Sequence, residues 1–345
     1  MTQTFFISSF HRVPGKGGIH TCMMSENGTP SIISSVPLTG AGYLAFDKKK
    51  EILYATCSEN DEFDAVAAFA ITENGKLSQL GNIVPSGGIS TCHLTASPCR
   101  NFLYSANYFS GTFSEYRLAP DGSIAARSRI IQHHGTGPDK VRQEMPHPHC
   151  CVFSPDGKFL SVADLGNDRI YCYAFDEENG IDADSPVINE LEAGCGPRHI
   201  LFDEENTIVY VITELGNCLL SFHWDNGRLL PQEELYLLPR GAQKPFKASA
   251  LRFSAGRDFI ICTNRGFDSL ATVELDGKGG LFPAALTLSG GSSPRDVNFI
   301  GKNFFAAANE FSDEVRYFDF DNTTGTLTPN GFVMKMPRPL CIMPL

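Results

Sequence analysis

The chain has 345 residues, 42% of them hydrophobic and 19% charged. That is enough apolar material for a large core, at a length that ordinarily suggests two domains although large all-β folds often stay as one. Its 39 acidic residues outnumber its 28 basic ones, for a formal charge of −11, which argues against nucleic acid and anionic membranes as partners and leaves small anionic substrates open. No apolar run approaches the roughly 18 residues of a transmembrane helix, and "MTQTFFISSF" has neither a basic n-region nor an apolar h-region. Eleven cysteines without a CxxC pair read as free thiols in a reducing cytoplasm rather than as a disulfide framework or a cysteine zinc site.

In chain order, the first apolar stretches are "TFFISSF", "GIHTCMM" and "PSIIS", short and strand-like. One pattern then recurs: a strand, a turn such as "SPDGK", a second strand, a polar loop and a third strand. "HCCVFSPDGKFLSVADLGNDRIYCYAF" shows it most fully and "RHILFDEENTIVYVITELGNCLLSFHW" repeats it. Anchored on the residue before each turn, the copies fall at Phe46, Ala96, Phe153, Phe202, Phe253 and Phe299, with Met343 as a seventh. A period near 50 residues with about four strands per copy predicts a β-propeller, and nothing shows the βα alternation of a two-domain α/β chain. "RPLCIMPL" supplies an innermost strand, and "TFFISSF" reads as the second strand of the same unit. The expectation is an all-β, seven-bladed propeller of four-stranded antiparallel blades, a single domain over residues 1–345. One blade is assembled from both termini, which closes the ring and hides its edges.

Within a blade the first two strands form a hairpin, so a residue four before the anchor should face one about twelve after it. The first column reads Gly42, Cys92, His149, Arg198, Ser249, Arg295 and Pro339. The second reads Ser58, Tyr108, Leu165, Glu214, Arg265 and Phe311, with Asn107, Asp164, Asn264 and Glu310 one position earlier. One histidine, three arginines and one glutamate therefore converge on one mouth of the channel. A lone charged strand residue ordinarily faces solvent; five at matched repeat positions describe a pocket. Arginines hold carboxylate or phosphate by bidentate, charge-assisted bonds or stabilise a developing oxyanion. A glutamate or histidine beside them can move a proton, so the pocket suits a small anionic substrate.

Two histidines flank Pro148 in "PHPH". His149 shares the register of Arg198 and Arg295 and is the proton-transfer candidate; His147 is expected to line the pocket rim. The two could instead bind a divalent metal with Asp164 or Glu214, but three arginines would repel it, so no metal and no cofactor is expected. His133 and His134 read as exposed loop residues, and the "GTGPDK" that follows lacks the Gly-Lys-Ser/Thr ending of a phosphate loop.

The stretches "RQEMPHPHCCVFSPDGKFLSVADLGNDRIYCY", "GCGPRHILF" with "YVITELGN", "TNRGFDSLATVEL" and "SSPRDVNF" resemble the seven-bladed propeller lactonases. That family has a 6-phosphogluconolactonase type and includes the fungal carboxy-cis,cis-muconate cyclase. The resemblance spans essentially the whole chain, and GPRH with NRGxDS is its specific part. Residue by residue it implies an active site at His149, Arg198, Glu214 and Arg265. Thr213 stands where the family often has Asn, and "NFIGKN" departs from the usual turn.

The implied activity is metal-independent hydrolysis of a sugar-acid lactone, 6-phosphogluconolactonase-like, in carbohydrate metabolism. His149, Glu214 and Arg198 are then catalytic, with either His149 or Glu214 as the base. Arg265, Arg295, His147, Asn107 and Asp164 bind the small anionic substrate. A muconate-type lactonising cyclase would use the same mouth. A non-catalytic propeller scaffold is the other alternative, although the chain lacks Trp-Asp endings and Trp224 is its only tryptophan. The expected form is a monomer or weak homodimer.

Overall fold

The computed structural model describes residues 2–59, 63–72, 75–242 and 245–345. Seven antiparallel sheets follow one another around a central channel. Their innermost strands are Leu44–Asp47, Thr91–Ala96, Pro148–Phe153, Pro197–Phe202, Lys247–Phe253, Pro294–Ile300 and Pro339–Pro344, which number the blades one to seven. Each packs against the next, and the seventh packs against the first. The seventh sheet runs Pro339–Pro344, Gln3–Ser9, Gly18–Met24, Pro30–Pro37, so one blade joins the two ends of the chain and closes the ring.

Every anchor ends an innermost strand or is its second-last residue, because the turn chemistry stops the strand there. In blade 3 the Ser154 hydroxyl donates to Asp156 Oδ1 (2.6 Å) and accepts from the Phe159 amide (3.1 Å). Gly157 takes the positive φ (+72°) that closes this "SPDGK" turn.

Apolar residues sit between the blades. Seven buried clusters each bridge two neighbouring sheets. The blade 5–6 cluster interleaves Phe259, Ile261 and Leu270 with Phe299, Phe305 and Phe320, each burial contributing about 1.5–3 kcal/mol. Middle strands such as Ile208–Thr213 are buried at every residue because both faces meet a neighbouring blade, whereas rim strands such as Arg228–Tyr236 are largely exposed. Blade 3 departs from four continuous strands: its outer strand splits into Gly180–Ile181 and Val187–Glu190, with Pro186, which has no amide proton for the ladder, just before the second piece.

One irregularity recurs near the mouth of the channel. In blade 3, Pro148 pairs with Asp164 and Cys150 with Ala163, which leaves His149 unpaired. The same β-bulge isolates Cys92 in blade 2, Arg198 in blade 4 and Arg295 in blade 6. Blade 5 bulges at Ser249 and Ala250, and blade 7 at Leu340 rather than at Pro339. A bulge kinks the strand and re-aims the extra side chain, here toward the axis.

Candidate active site

Bulged residues and the first residues beyond the second strands meet at one end of the channel. Glu214 lies just past Ile208–Thr213, its amide bonded to Gly196 O (2.8 Å), and only 3% of it is exposed. Its Oε2 accepts from Arg198 Nε (3.1 Å) and Arg265 Nη2 (2.6 Å), and its Oε1 from Arg142 Nη2 (2.6 Å). Burial pushes its pKa up, but the guanidiniums of Arg265, Arg198 and Arg142 hold it well below the usual carboxylate value. Glu214 is a fixed carboxylate with both oxygens occupied.

Arg198 is almost fully buried. Its Nη1 donates to Ser249 O (2.7 Å) and to His199 Nε2 (3.0 Å). Burial, then Arg295 and Arg265, lower its pKa to about 9 against the pull of Glu214, which leaves it charged at neutral pH. A ring cluster adjoins it: His199 lies 5.5 Å from both His149 and His93, and the His93 and Tyr43 rings lie 4.1 Å apart, tilted by 30°.

His149 is 3% exposed and its Nδ1 has no hydrogen-bond partner. Burial first, then Arg198 and Arg295, keep its pKa well below 6.5, so the ring is neutral. His147 precedes the strand. Its Nδ1 donates to Tyr108 O (2.8 Å), its ring stacks on Tyr108 at 4.3 Å, and Nε2 lies 3.4 Å from Glu144 Oε2. Gly166 makes room for this segment, since a Cβ there would stand 1.9 Å from Met145 O and 2.7 Å from His147 N.

Arg142 comes from outside the repeat, on the connection between blades 2 and 3. Asp139 Oδ1 accepts from the Val141 and Arg142 amides, and Gln143 Nε2 donates to Leu165 O and Asp168 Oδ1, which pins the loop and projects Arg142 over Glu214. Its Nη1, like Arg265 Nε, is buried without an acceptor. With His149 Nδ1, three unsatisfied nitrogens surround one carboxylate, and such groups ordinarily find partners.

These residues line a two-lobed mouth. The larger lobe, about 400 Å³, is lined by His147, His149, Arg142, Glu214, Lys247 and Arg265 among others; the smaller, about 230 Å³, by Arg198, His199, Tyr43, Arg12 and Arg338 among others. Ser90, Cys92 and Arg295 line both. Burial raises the Cys92 pKa to about 12 despite Arg198 and Arg295, so it is a protonated thiol and not a nucleophile.

The structure brings His147, His149, Arg198, Glu214, Arg265 and Arg295 together, but two expected binding residues lie elsewhere. Asn107 is fully buried and spends its amide on Thr91, Thr112 and Ser114 hydroxyls. Asp164 is fully buried too, accepting from the His147 and Gly166 amides and from His133 Nδ1 (2.7 Å). Each pairs with the residue before the bulge and lines neither lobe.

His133 was expected at the surface and is buried, because it satisfies Asp164 and donates or accepts at Tyr173 OH (2.9 Å); His134 is exposed. In blade 6 the column slips by one residue. Ile300 pairs with Phe304 across a turn of only three residues, so Glu310, not Phe311, lines the smaller lobe while Phe311 is 70% exposed. Lys247 and Arg142 escaped the columns. A column six before the anchor, containing His147 and Lys247, would have found the lysine. Among the described residues no group of three or more His, Cys, Asp or Glu is arranged to hold a metal ion.

The family profile for a seven-bladed β-propeller lactonase matches residues 4–344. A 6-phosphogluconolactonase of Bacillus subtilis (strain 168) is 30% identical over 305 residues, 87% of this chain and 86% of its own. A provisionally named 6-phosphogluconolactonase from Bacteroides fragilis superposes with a TM-score of 0.92 at 26% identity, over 100% of this chain and 98% of that one. The periplasmic gluconolactonase of Pseudomonas aeruginosa shares the fold with a TM-score of 0.94 at 24% identity, over 100% and 99%.

Proposed function

The chain belongs to the seven-bladed β-propeller lactonase family, and from that premise we propose that it hydrolyses the lactone of a small anionic sugar acid, without a metal, at the arginine-rich mouth. The B. subtilis relative bears the name 6-phosphogluconolactonase, and that chemistry fits the residues here. His149 takes a proton from water as the oxygen attacks the lactone carbonyl. The tetrahedral oxyanion forms against the guanidiniums of Arg265 and Arg198, which Glu214 holds in place. The C–O ring bond then breaks, and His149 returns its proton to the departing alkoxide, leaving the open hydroxy acid.

The observation that carries this reading is the contrast between the two candidate bases. Glu214 accepts three charge-assisted bonds and sits well below the usual carboxylate pKa, which makes it a poor proton acceptor. His149 is neutral and has a buried ring nitrogen without a partner. The cationic surroundings that weaken it as a base also make its imidazolium a ready acid for the leaving alkoxide. We assign Glu214 to orienting the guanidiniums.

Acid release from glucono-δ-lactone and its 6-phosphate, followed by pH-stat against the spontaneous rate, tests the proposal. Acceleration that His149→Gln abolishes is expected; no acceleration with either lactone overturns it. Loss of muconate absorbance on incubation would favour the cyclase instead. Among the described residues no helix is long and apolar enough to cross a membrane. Among the described residues no cysteine is joined in a disulfide, which supports a cytoplasmic setting as part of the proposal.

A further inference from the structure

The cations around the two-lobed mouth fall into two sets. Arg142, Arg198 and Arg265 are each bonded to Glu214. Lys247 and Arg295 line the larger lobe, and among the described residues neither charged group has a hydrogen-bond or ion-pair partner. Lys247 sits directly across the strand pair from Arg265, a like-charge arrangement that works against the fold. Burial, Arg142, Arg265 and Arg295 all disfavour its ammonium, with only Glu214 opposing them. These two charges return nothing visible to the stability of the propeller.

A ligand can compensate them, and its charge identifies its class. The lactone of an unmodified sugar acid is neutral until its ring opens, so it offers nothing to two unpaired cations. A phosphate monoester carries about −1.5 to −2 at neutral pH, which matches the pair, and its oxygens suit both an ammonium and a guanidinium fork. The geometry points to Lys247 and Arg295 as the pair that binds a phosphate group on the substrate, with Lys247 setting the preference for phosphorylated over neutral lactones. This rests on the lactonase reading above, and it divides the mouth: the Glu214-bonded guanidiniums face the reacting carbonyl, and the unpaired cations hold the remote phosphate.

Lys247→Met keeps the stem and removes the charge; Lys247→Arg restores it. Binding of 6-phosphogluconate and of gluconate, measured by calorimetry, should diverge. Loss of one charge-assisted contact weakens 6-phosphogluconate about tenfold to a hundredfold in Lys247→Met, leaves gluconate within about twofold, and is largely reversed in Lys247→Arg. The Michaelis constant for the phosphorylated lactone should rise by the same factor at nearly constant kcat, with that for glucono-δ-lactone unmoved. Equal weakening of both ligands, or of neither, overturns the assignment. If neither lactone is turned over but the binding contrast survives, the hydrolytic reading fails and the phosphate site stands.

Discussion

Replacing Glu214 by Gln keeps the shape of the side chain and removes the charge that three arginines share. Arg142 and Arg265, whose side chains are 24% and 12% exposed, can recover some hydration. Arg198, at 3%, cannot. Breaking a buried pair by removing one partner costs about 3–5 kcal/mol. With an unfolding entropy of about 2.1 cal/mol/K per residue, the 345 residues give about 0.7 kcal/mol/K, so Tm should fall by about 4–7 °C. Glu190, also paired with an arginine at 2.8 Å but 71% exposed, is the control, and Glu190→Gln should move Tm by less than about 1.5 °C.

The pH dependence gives the sign. The folded pKa of Glu214 lies below its unfolded value, so its contribution is complete above the unfolded carboxylate pKa, about 4.3, and is lost only as pH falls further toward the folded value. Scanning calorimetry of both proteins from pH 4 to 8 should show a constant gap down to about pH 4.5. An unchanged Tm, or a gap that closes between pH 7 and 5, would refute the picture of a locked carboxylate.

Three other outcomes are expected. Because the His149 pKa lies well below 6.5, the base stays deprotonated into the acid range, so kcat/KM should remain flat from pH 8 to about 6 and fall only below that; an acid limb centred at 6.5 or higher contradicts it. Asn107→Ala strands the hydroxyls of Thr91, Thr112 and Ser114 and should cost about 2–4 kcal/mol in denaturant titrations while leaving the Michaelis constant alone; a changed constant at unchanged stability would return Asn107 to the binding surface. Gly166→Ala forces a methyl against Met145 O and His147 N, so we expect about 1–3 kcal/mol of destabilisation with impaired turnover, and a neutral result would mean that the 145–147 segment gives way freely.

Much of the architecture was legible because the repeat is written in turn chemistry: "SPDGK" and its variants stop each innermost strand near its anchor, and the seven anchors give the blades. His149, Arg198 and Arg295 came out of a single column because the bulge recurs at one place in every repeat that carries them. A proline stands just before the bulged residue in blades 3, 4 and 6 (Pro148, Pro197, Pro294), but residue type alone does not show that the bulge re-aims the side chain after it toward the channel. Asn107 and Asp164 look as polar and as near the mouth as Glu214, yet buried hydrogen bonds to neighbouring strands and connections hold them out of both lobes. The one-residue slip in blade 6 follows from a short turn whose "NFIGKN" was visible but whose effect on register was not. Arg142 belongs to no repeat, and only the hydrogen bonds of its loop bring it to Glu214.

The ring-closing blade also sets a timetable. Ser9 pairs with Pro339, 330 residues later, which at 5–20 residues per second is about 15–65 s of synthesis. Through that interval Gln3–Ser9 has no inner partner, and Phe5, Phe6 and Ile7, each fully buried in the closed ring, border an open strand edge that invites association with other chains. Leu340 lines the smaller lobe and the Ile342 amide donates to Asp296, so the mouth takes its final shape only when this strand arrives. A nascent chain of this protein therefore carries an unpaired first strand until its last strand is made, and slowing synthesis before residue 339 should raise aggregation.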